Sequence, residues 1–225
     1  MDGVFAPAPG GGLRLAADWD ALYRSHPDPW AQSGEDDLLG PYYRESRARL
    51  TRAVRRNVAG VTFRGLEVGS GHGQVVGELG RAFPYAQWAG LEVSMVAAVK
   101  ARQAWPRHLF HVGDLCTWSS SRIGTYGVVI LGQVWWYVLE RIDAAIGNAL
   151  ALLEEDGVLI VSQAFLATEQ RYGKHIADGF AGALMLLDGR FAGKIRLLEA
   201  EYEASGRFVH FDGLMVFRKQ MSDAR

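Results

Sequence analysis

The chain has 225 residues, 49% of them hydrophobic and 22% charged, with a formal net charge of −1. At this size a single domain buries roughly 70% of its unfolded surface, so one substantial core is expected and a disordered or fibrous protein is excluded. The near-zero charge argues against a phosphate-backbone partner, and the single cysteine, Cys116, precludes an intrachain disulfide. With no targeting segment and no apolar run of about 18 residues, a soluble cytoplasmic protein is expected.

Residues 1–12 are rich in proline and glycine and are expected to be loosely draped. AADWDALYRSHPDPW then spaces Trp19, Leu22 and Tyr23 as a short helix would, until Pro27 and Pro29 stop it. A second helix is predicted over residues 41–58, with Tyr42, Leu50, Ala53 and Val54 packed inward. Its arginines, Arg44, Arg47, Arg49, Arg52, Arg55 and Arg56, are expected to form a solvated basic side. From Thr62 onward the rhythm changes. TFRGLEV, AQWAGLEV, HLFHVGD, YGVVILG and GVLIVSQAF read as strands, separated by helical stretches that include EQRYGKHIADGFAGALMLL. This alternation predicts βαβ units and a parallel sheet covered on both faces. KIRLLEAEYEA and RFVHFDGLMVFRK follow without a helix between them and read as a terminal antiparallel pair. No repeat or linker divides the chain. Residues 1–57 are read as a flexible N-terminus with a helical cap, and 58–225 as the core.

The strongest chemical signal is GLEVGSGHGQVV, residues 65–76, placed where a strand ends and a helix begins. Gly69, Gly71 and Gly73 permit backbone shapes closed to other residues and let a ligand approach the main chain, although a tight structural turn would use them too. Glu92 ends the second strand of the alternating region, 21 residues beyond Gly71, where nucleotide folds carry a carboxylate for ribose hydroxyls. Asp114 ends the third. With Glu67, three acidic residues therefore come to one crevice at successive strand ends. A dinucleotide fingerprint would require glycine at position 74, where the chain has Gln74, and the phosphate-loop lysine is missing. An acidic residue beside the loop, without cationic partners, suits a ligand whose nearest group is positive and points away from pyrophosphate.

ExGxGxG at 67–73, the acidic end of the second strand, GDL at 113–115 and LGQVWWYV at 131–138 together resemble class I S-adenosylmethionine-dependent methyltransferases. The resemblance spans residues 58–219. It implies an α/β, Rossmann-like, seven-stranded, mostly parallel sheet with an antiparallel last strand, helices on both faces and an N-terminal helical cap. It also implies S-adenosylmethionine as methyl donor, S-adenosylhomocysteine as product, and no metal. On this likeness Glu67, Gly69, Gly71 and Gly73 surround the methionine portion. Glu92 and Val93 meet the ribose, Asp114 and Leu115 meet the adenine, and Gln133 lies near the methionine end. DPW at 28–30 and GPYYRESR at 40–47 further resemble small-molecule N-methyltransferases of the nodulation-protein-S type, in which a helical cap covers the cofactor. Trp30, Tyr42 and Arg47 are candidates from that match, with packing of the cap on the sheet an equal reading.

Methyl transfer is an in-line displacement on a donor already activated by its charge, so an enzyme has mainly to align a lone pair and exclude water. The histidines show no metal-ligand spacing. An amine acceptor must lose a proton before attack, and a hydroxyl acceptor calls more clearly for a base. In QRYGKHIADGF, Tyr172, His175 and Asp178 fall at helical spacing; His210 and Asp212 are weaker candidates. The NPPY-like tetrapeptide of polymer-directed amino methyltransferases is absent, its place taken by residues 133–136, which favours a small-molecule acceptor. The expected catalytic set is Gln133, Trp136, Tyr172 and His175, with Trp135 or Trp136 as pocket wall and Gln133 as polar contact. An amine acceptor is preferred to a hydroxyl or carboxylate. A nicotinamide-dependent oxidoreductase and a cofactor-binding module without turnover are the alternatives, and the Arg-rich helix keeps an RNA substrate as a lesser one.

Overall fold

The computed structural model describes residues 3–9, 11–33, 36–118, 124–208 and 210–221. A seven-stranded sheet forms its centre. In chain order the strands are β3 (Arg64–Val68), β4 (Gln87–Glu92), β5 (Leu109–Val112), β6 (Tyr126–Gly132), β7 (Leu153–Leu166), β8 (Ile195–Glu203) and β9 (His210–Lys219). They lie side by side as β5-β4-β3-β6-β7-β9-β8. Only β9 runs against the others, pairing antiparallel with β7 and with β8. The expected sheet, with its antiparallel last strand, is therefore present.

Two-residue periodicity explains why helices cover both faces. Val128, Ile130, Val158, Ile160, Leu214 and Val216 point one way, against Leu50, Ala53 and Val54 of α2 (Gly40–Asn57) and Val76 and Leu79 of α3 (Gln74–Ala82). Their neighbours Val129, Leu131, Leu159, Val161, Met215 and Phe217 point the other way. Those meet Ile146 and Ala149 of α6 (Ile142–Leu152) and Ala183 and Leu187 of α7 (Gly179–Arg190). A further helix, α4 (Met95–Ala104), follows β4, and the short α5 (Trp135–Val138) follows β6. From β3 the chain steps to β4 on one side, while β6 flanks β3 on the other. The crevice beyond the carboxyl ends at this reversal is where such sheets bind ligands.

Three expectations need correction. Part of the 1–12 segment is ordered: β1 (Phe5–Pro7) pairs antiparallel with β2 (Leu13–Leu15), Phe5 facing Leu15, and Val4 is buried; Met1, Asp2 and Gly10 lie outside the described residues. The hairpin leads through α1 (Trp19–Ser25) into the cap.

On α2 the packed face is as read, but the basic side is not wholly solvated, because Arg47 and Arg49 are buried. Arg47 pairs with Glu78 at 2.9 Å, off the N–H axis, and donates to the Gln32 carbonyl at 3.0 Å. Arg49 pairs with Asp212 at 3.4 Å. A guanidinium leaves water only with such partners.

The helix expected across EQRYGKHIADGFAGALMLL begins only at Gly179. Gly173 takes φ of +65°, which breaks a helix, and Gly179 takes +59° where α7 begins. Gln170 holds the resulting loop, donating to the carbonyls of Tyr172 and Ala177 and accepting from the Gly179 N–H, each at 2.8 Å. The terminal strand RFVHFDGLMVFRK starts at His210, and Val209 lies outside the described residues.

Candidate active site

A cavity of about 410 Å³ opens at the carboxyl ends of the central strands, within the range of roughly 300–1,000 Å³ usual for ligand pockets. Its floor comes from the sheet, including Gly69, Glu92, Asp114 and Gln133. Its roof comes from the cap: Phe5 of β1, Trp19 and Tyr23 of α1, and Trp30.

The glycine loop takes its shape from left-handed backbone, with φ of +71° at Gly69, +51° at Gly71 and +79° at Gly73. The Gly69 N–H donates to the Leu91 carbonyl at 2.8 Å and the Gly73 N–H to that of Ser70 at 2.7 Å. Gly69 faces the cavity; Gly71 and Gly73 stand behind it, against Tyr23 and against Phe110 with Trp105.

The acids differ in setting. Glu92 lines the cavity, accepting from the Gly71 N–H at 2.7 Å and the Ser94 N–H at 2.9 Å, and burial raises its pKa. Val93 beside it is exposed and also lines the wall. Glu67 lies deeper. One of its carboxylate oxygens, Oε2, is buried without a hydrogen-bond partner. Burial and then the neighbouring Glu92 carboxylate push its pKa well up, against the Val76 N–H and the Arg47 guanidinium. A carboxyl group raised in the fold gives stability that is complete below its ordinary value of 4.5 and is lost as pH rises through the folded value. Glu67→Gln should therefore melt higher than the parent above pH 7, by roughly 2–4 °C for each kcal/mol relieved. The gap should close as pH falls toward 4.5; melting curves between pH 4.5 and 8 check both statements.

Asp114 accepts from the Cys116 N–H at 2.9 Å and from Arg141 Nη2 at 2.6 Å, while Leu115 is buried in the same wall. Arg141 was not a candidate in the sequence. Nothing in LERID marks it, since only the fold brings it to a residue 27 positions earlier.

Gln133 sits at the β6 terminus with φ of +60°. Its Oε1 accepts from the Ala164 N–H at 2.7 Å, and its Nε2 donates to the Tyr42 hydroxyl at 3.2 Å. That hydroxyl donates to Asp212 at 3.0 Å, and Ser46 donates to the same oxygen at 3.0 Å. Tyr42 and Arg47 are thus braces of the cap behind the cavity, whereas Trp30 lines it and donates to the Tyr23 hydroxyl at 3.2 Å.

The aromatic triplet divides. Trp135 is fully buried in the core, its backbone N–H donating to Gln163 Oε1 at 2.9 Å. Trp136 and Tyr137 line the cavity. Trp136 is fixed by its indole N–H on the Ala164 carbonyl at 3.1 Å, and Tyr137 packs edge-on against Trp19 at 4.9 Å. Tyr172 also lines it, its ring 4.7 Å from that of Phe5.

His175 is a correction. It is exposed and borders a separate depression with Asp143 and Arg190, because the loop around Gly173 turns it away from Tyr172. His210, rated behind it in the sequence, lines the cavity instead. Among the described residues, no three His, Cys, Asp or Glu side chains gather as a metal-binding group.

Residues 66–161 match a family model described as a methyltransferase domain. Among curated proteins, none matches the chain by sequence. Solved structures share the fold. The N-methyltransferase NodS from Bradyrhizobium japonicum WM9, in complex with S-adenosylhomocysteine, is 20% identical with a TM-score of 0.68, over 90% of this chain and 98% of that one. Magnesium protoporphyrin IX methyltransferase from Synechocystis PCC 6803, with bound S-adenosylmethionine, is 18% identical with a TM-score of 0.64, over 90% and 93%. The plantazolicin methyltransferase BpumL, in complex with S-adenosylhomocysteine, is 14% identical with a TM-score of 0.65, over 90% and 94%. Residues 66–161 therefore match a methyltransferase domain, and the chain has the fold of these solved S-adenosylmethionine-dependent methyltransferases.

Proposed function

We propose that the protein transfers a methyl group from S-adenosylmethionine to a small-molecule acceptor, an amine in preference to a hydroxyl or carboxylate. The observation that carries this reading is a single cavity with a glycine-loop floor, carboxylates beside it and an aromatic roof supplied by the cap. The residues fit the donor. Glu67 keeps an unpartnered buried oxygen beside a loop whose Gly69 leaves room for a ligand at the main chain, a setting for a positively charged methionine portion. Glu92 would hold the ribose hydroxyls and Asp114 with Leu115 the adenine. Trp30 would cover them, with Tyr42 and Arg47 holding the cap in place. When bound, the donor supplies an electrophilic methyl group on a sulfonium.

The chain's own part is positioning and exclusion of water. Trp136 and Tyr137 offer ring faces to a cation, an attraction worth about 0.5–2 kcal/mol. Residues 1–57 act in this reading as a lid. One structural neighbour, NodS, is an N-methyltransferase, which agrees with an amine acceptor, as does the short likeness at residues 28–30 and 40–47. Among the described residues no helix is long and apolar enough to cross a membrane, which suits an acceptor met in water.

Calorimetric titration with S-adenosylhomocysteine and, separately, NADH tests the donor; binding of NADH alone would defeat it. Glu92→Ala should weaken S-adenosylhomocysteine about ten- to a hundredfold, the size expected for losing hydrogen bonds to a charged acceptor. Labelled methyl donor offered with panels of amines and hydroxyl compounds tests the acceptor.

A further inference from the structure

This inference deepens the methyl-transfer reading and rests on it. An alkylamine in water carries a proton that its nitrogen must lose before it can attack. Of the groups lining the cavity, most cannot take that proton. Glu92 has both oxygens occupied by backbone N–H groups, and Asp114 is held by the Cys116 N–H and Arg141. Glu169 is tied to Lys174 at 2.9 Å on an exposed edge. Burial raises the phenols of Tyr23, Tyr43, Tyr137 and Tyr172 above their ordinary value, which keeps them protonated.

His210 is the one histidine among the described lining residues. It makes no hydrogen bond to any described residue, so both ring nitrogens are open to a ligand. Its position is specific. His210 pairs with Leu166 at the end of β7, two residues beyond Ala164, which fixes both the Gln133 amide and the Trp136 indole. Its ring lies edge-on to Tyr42, 5.6 Å between centroids, and the Tyr42 hydroxyl holds Gln133. The imidazole therefore shares the β6–β7 end of the cavity with the residues expected to meet the acceptor.

Several charged groups stand close by. Asp212 is two residues along β9, on the same face. Arg49 of α2 pairs with it, Glu45 of α2 adds a further negative charge, and Glu203 of β8 stands in register opposite. Burial lowers the His210 pKa below its ordinary value, which leaves the ring neutral near pH 7.

We propose that His210 is the catalytic base that takes the proton from a primary or secondary alkylammonium acceptor seated between Gln133 and Trp136. The N–H bond of the ammonium breaks, its electron pair stays on the acceptor nitrogen, and a new N–H bond forms on the imidazole. The freed pair then makes the bond to the methyl carbon while the carbon–sulfur pair leaves with sulfur. His210 afterwards returns its proton to solvent.

The full-length parent, His210→Gln and His210→Ala decide the matter. Both variants should bind S-adenosylhomocysteine within threefold of the parent, which reports an intact fold. In the parent loaded with S-adenosylhomocysteine, the His210 imidazole NMR resonances should shift on addition of 2-phenylethylamine, as a group in contact with the acceptor requires. In methyl transfer, His210→Gln should lower kcat/KM for alkylamines about 10²–10⁴-fold and remove the acidic limb of the pH profile. Anilines, already neutral, should change less than tenfold, and added imidazole should restore His210→Ala. An imidazole whose resonances do not respond to the amine overturns the proposal. So does alkylamine turnover by His210→Gln within tenfold of the parent on the same pH profile. Failure of the underlying reading looks different: the parent would not bind S-adenosylhomocysteine, or would methylate no amine.

Discussion

Gly69→Val is expected to abolish binding of S-adenosylhomocysteine and to destabilise the protein. At φ of +71° the backbone is in the left-handed region, where a β-branched residue is strained by about 1–3 kcal/mol. A Cβ at this position would also enter the space of Val134 Cγ1, at the β6 terminus. Overpacking of that kind costs a further ~1–3 kcal/mol. At roughly 2–4 °C for each kcal/mol in a chain of this length, thermal melting should register the loss clearly. Gly71→Ala provides the contrast, since a Cβ there would approach only the Tyr23 hydroxyl, at 3.1 Å. Calorimetry on both variants checks the site, and full affinity in Gly69→Val would place the ligand elsewhere.

Asp212→Ala, on β9 where α2 of the cap docks, should destabilise the protein by about 3–5 kcal/mol in urea unfolding. It removes the acceptor shared by Tyr42 and Ser46 and leaves the buried Arg49 with only the more distant Glu201 carboxylate, at 3.8 Å. The side chains of Arg49 and Asp212 are 8% and 3% exposed, so water cannot replace the lost partner. If the loss of the nearer carboxylate of Arg49 is the cause, Arg49→Met added to Asp212→Ala should recover part of the loss. A double variant no more stable than the single one would place the cost in the two hydroxyls instead.

The sheet was readable because its signals are local. YGVVILG carries its own apolar run and becomes β6 at the same limits, and the glycine loop announces a strand-to-helix turn within seven residues. Glu67, Glu92 and Asp114 were readable for the same reason, since each lies at or beside the end of its own strand. The opposite end of the cavity was not, because its parts meet across long separations. Asp212 reaches Tyr42 over 170 positions, and His210 owes its place to pairing with Leu166. Spacing favoured His175 over His210 only on the assumption of a continuous helix. Gly173 was the available sign against it: a Cβ there would collide with Leu139, so the turn is demanded by packing as well as by φ. The hairpin was missed because Pro and Gly suggested drape, while the alternation in Leu13-Arg14-Leu15 was too short to weigh against them. Its apolar side chains roof a cavity that no local pattern reveals.

The place of β9 has a consequence for how the molecule is made. It is the last strand in the chain, yet it is inserted between β7 and β8 rather than added at a margin. At about 5–20 residues per second, ribosomes take on the order of 10–30 s to travel from α2 to Asp212. Until β9 follows, β7 lacks a partner on one side and β8 has none in the sheet, and Tyr42, Ser46 and Arg49 lack their common acceptor. A chain that has made β8 but not yet β9 therefore has an open sheet edge and α2 without its acceptor. That stage, more than the finished fold, is where chaperone capture or aggregation would act.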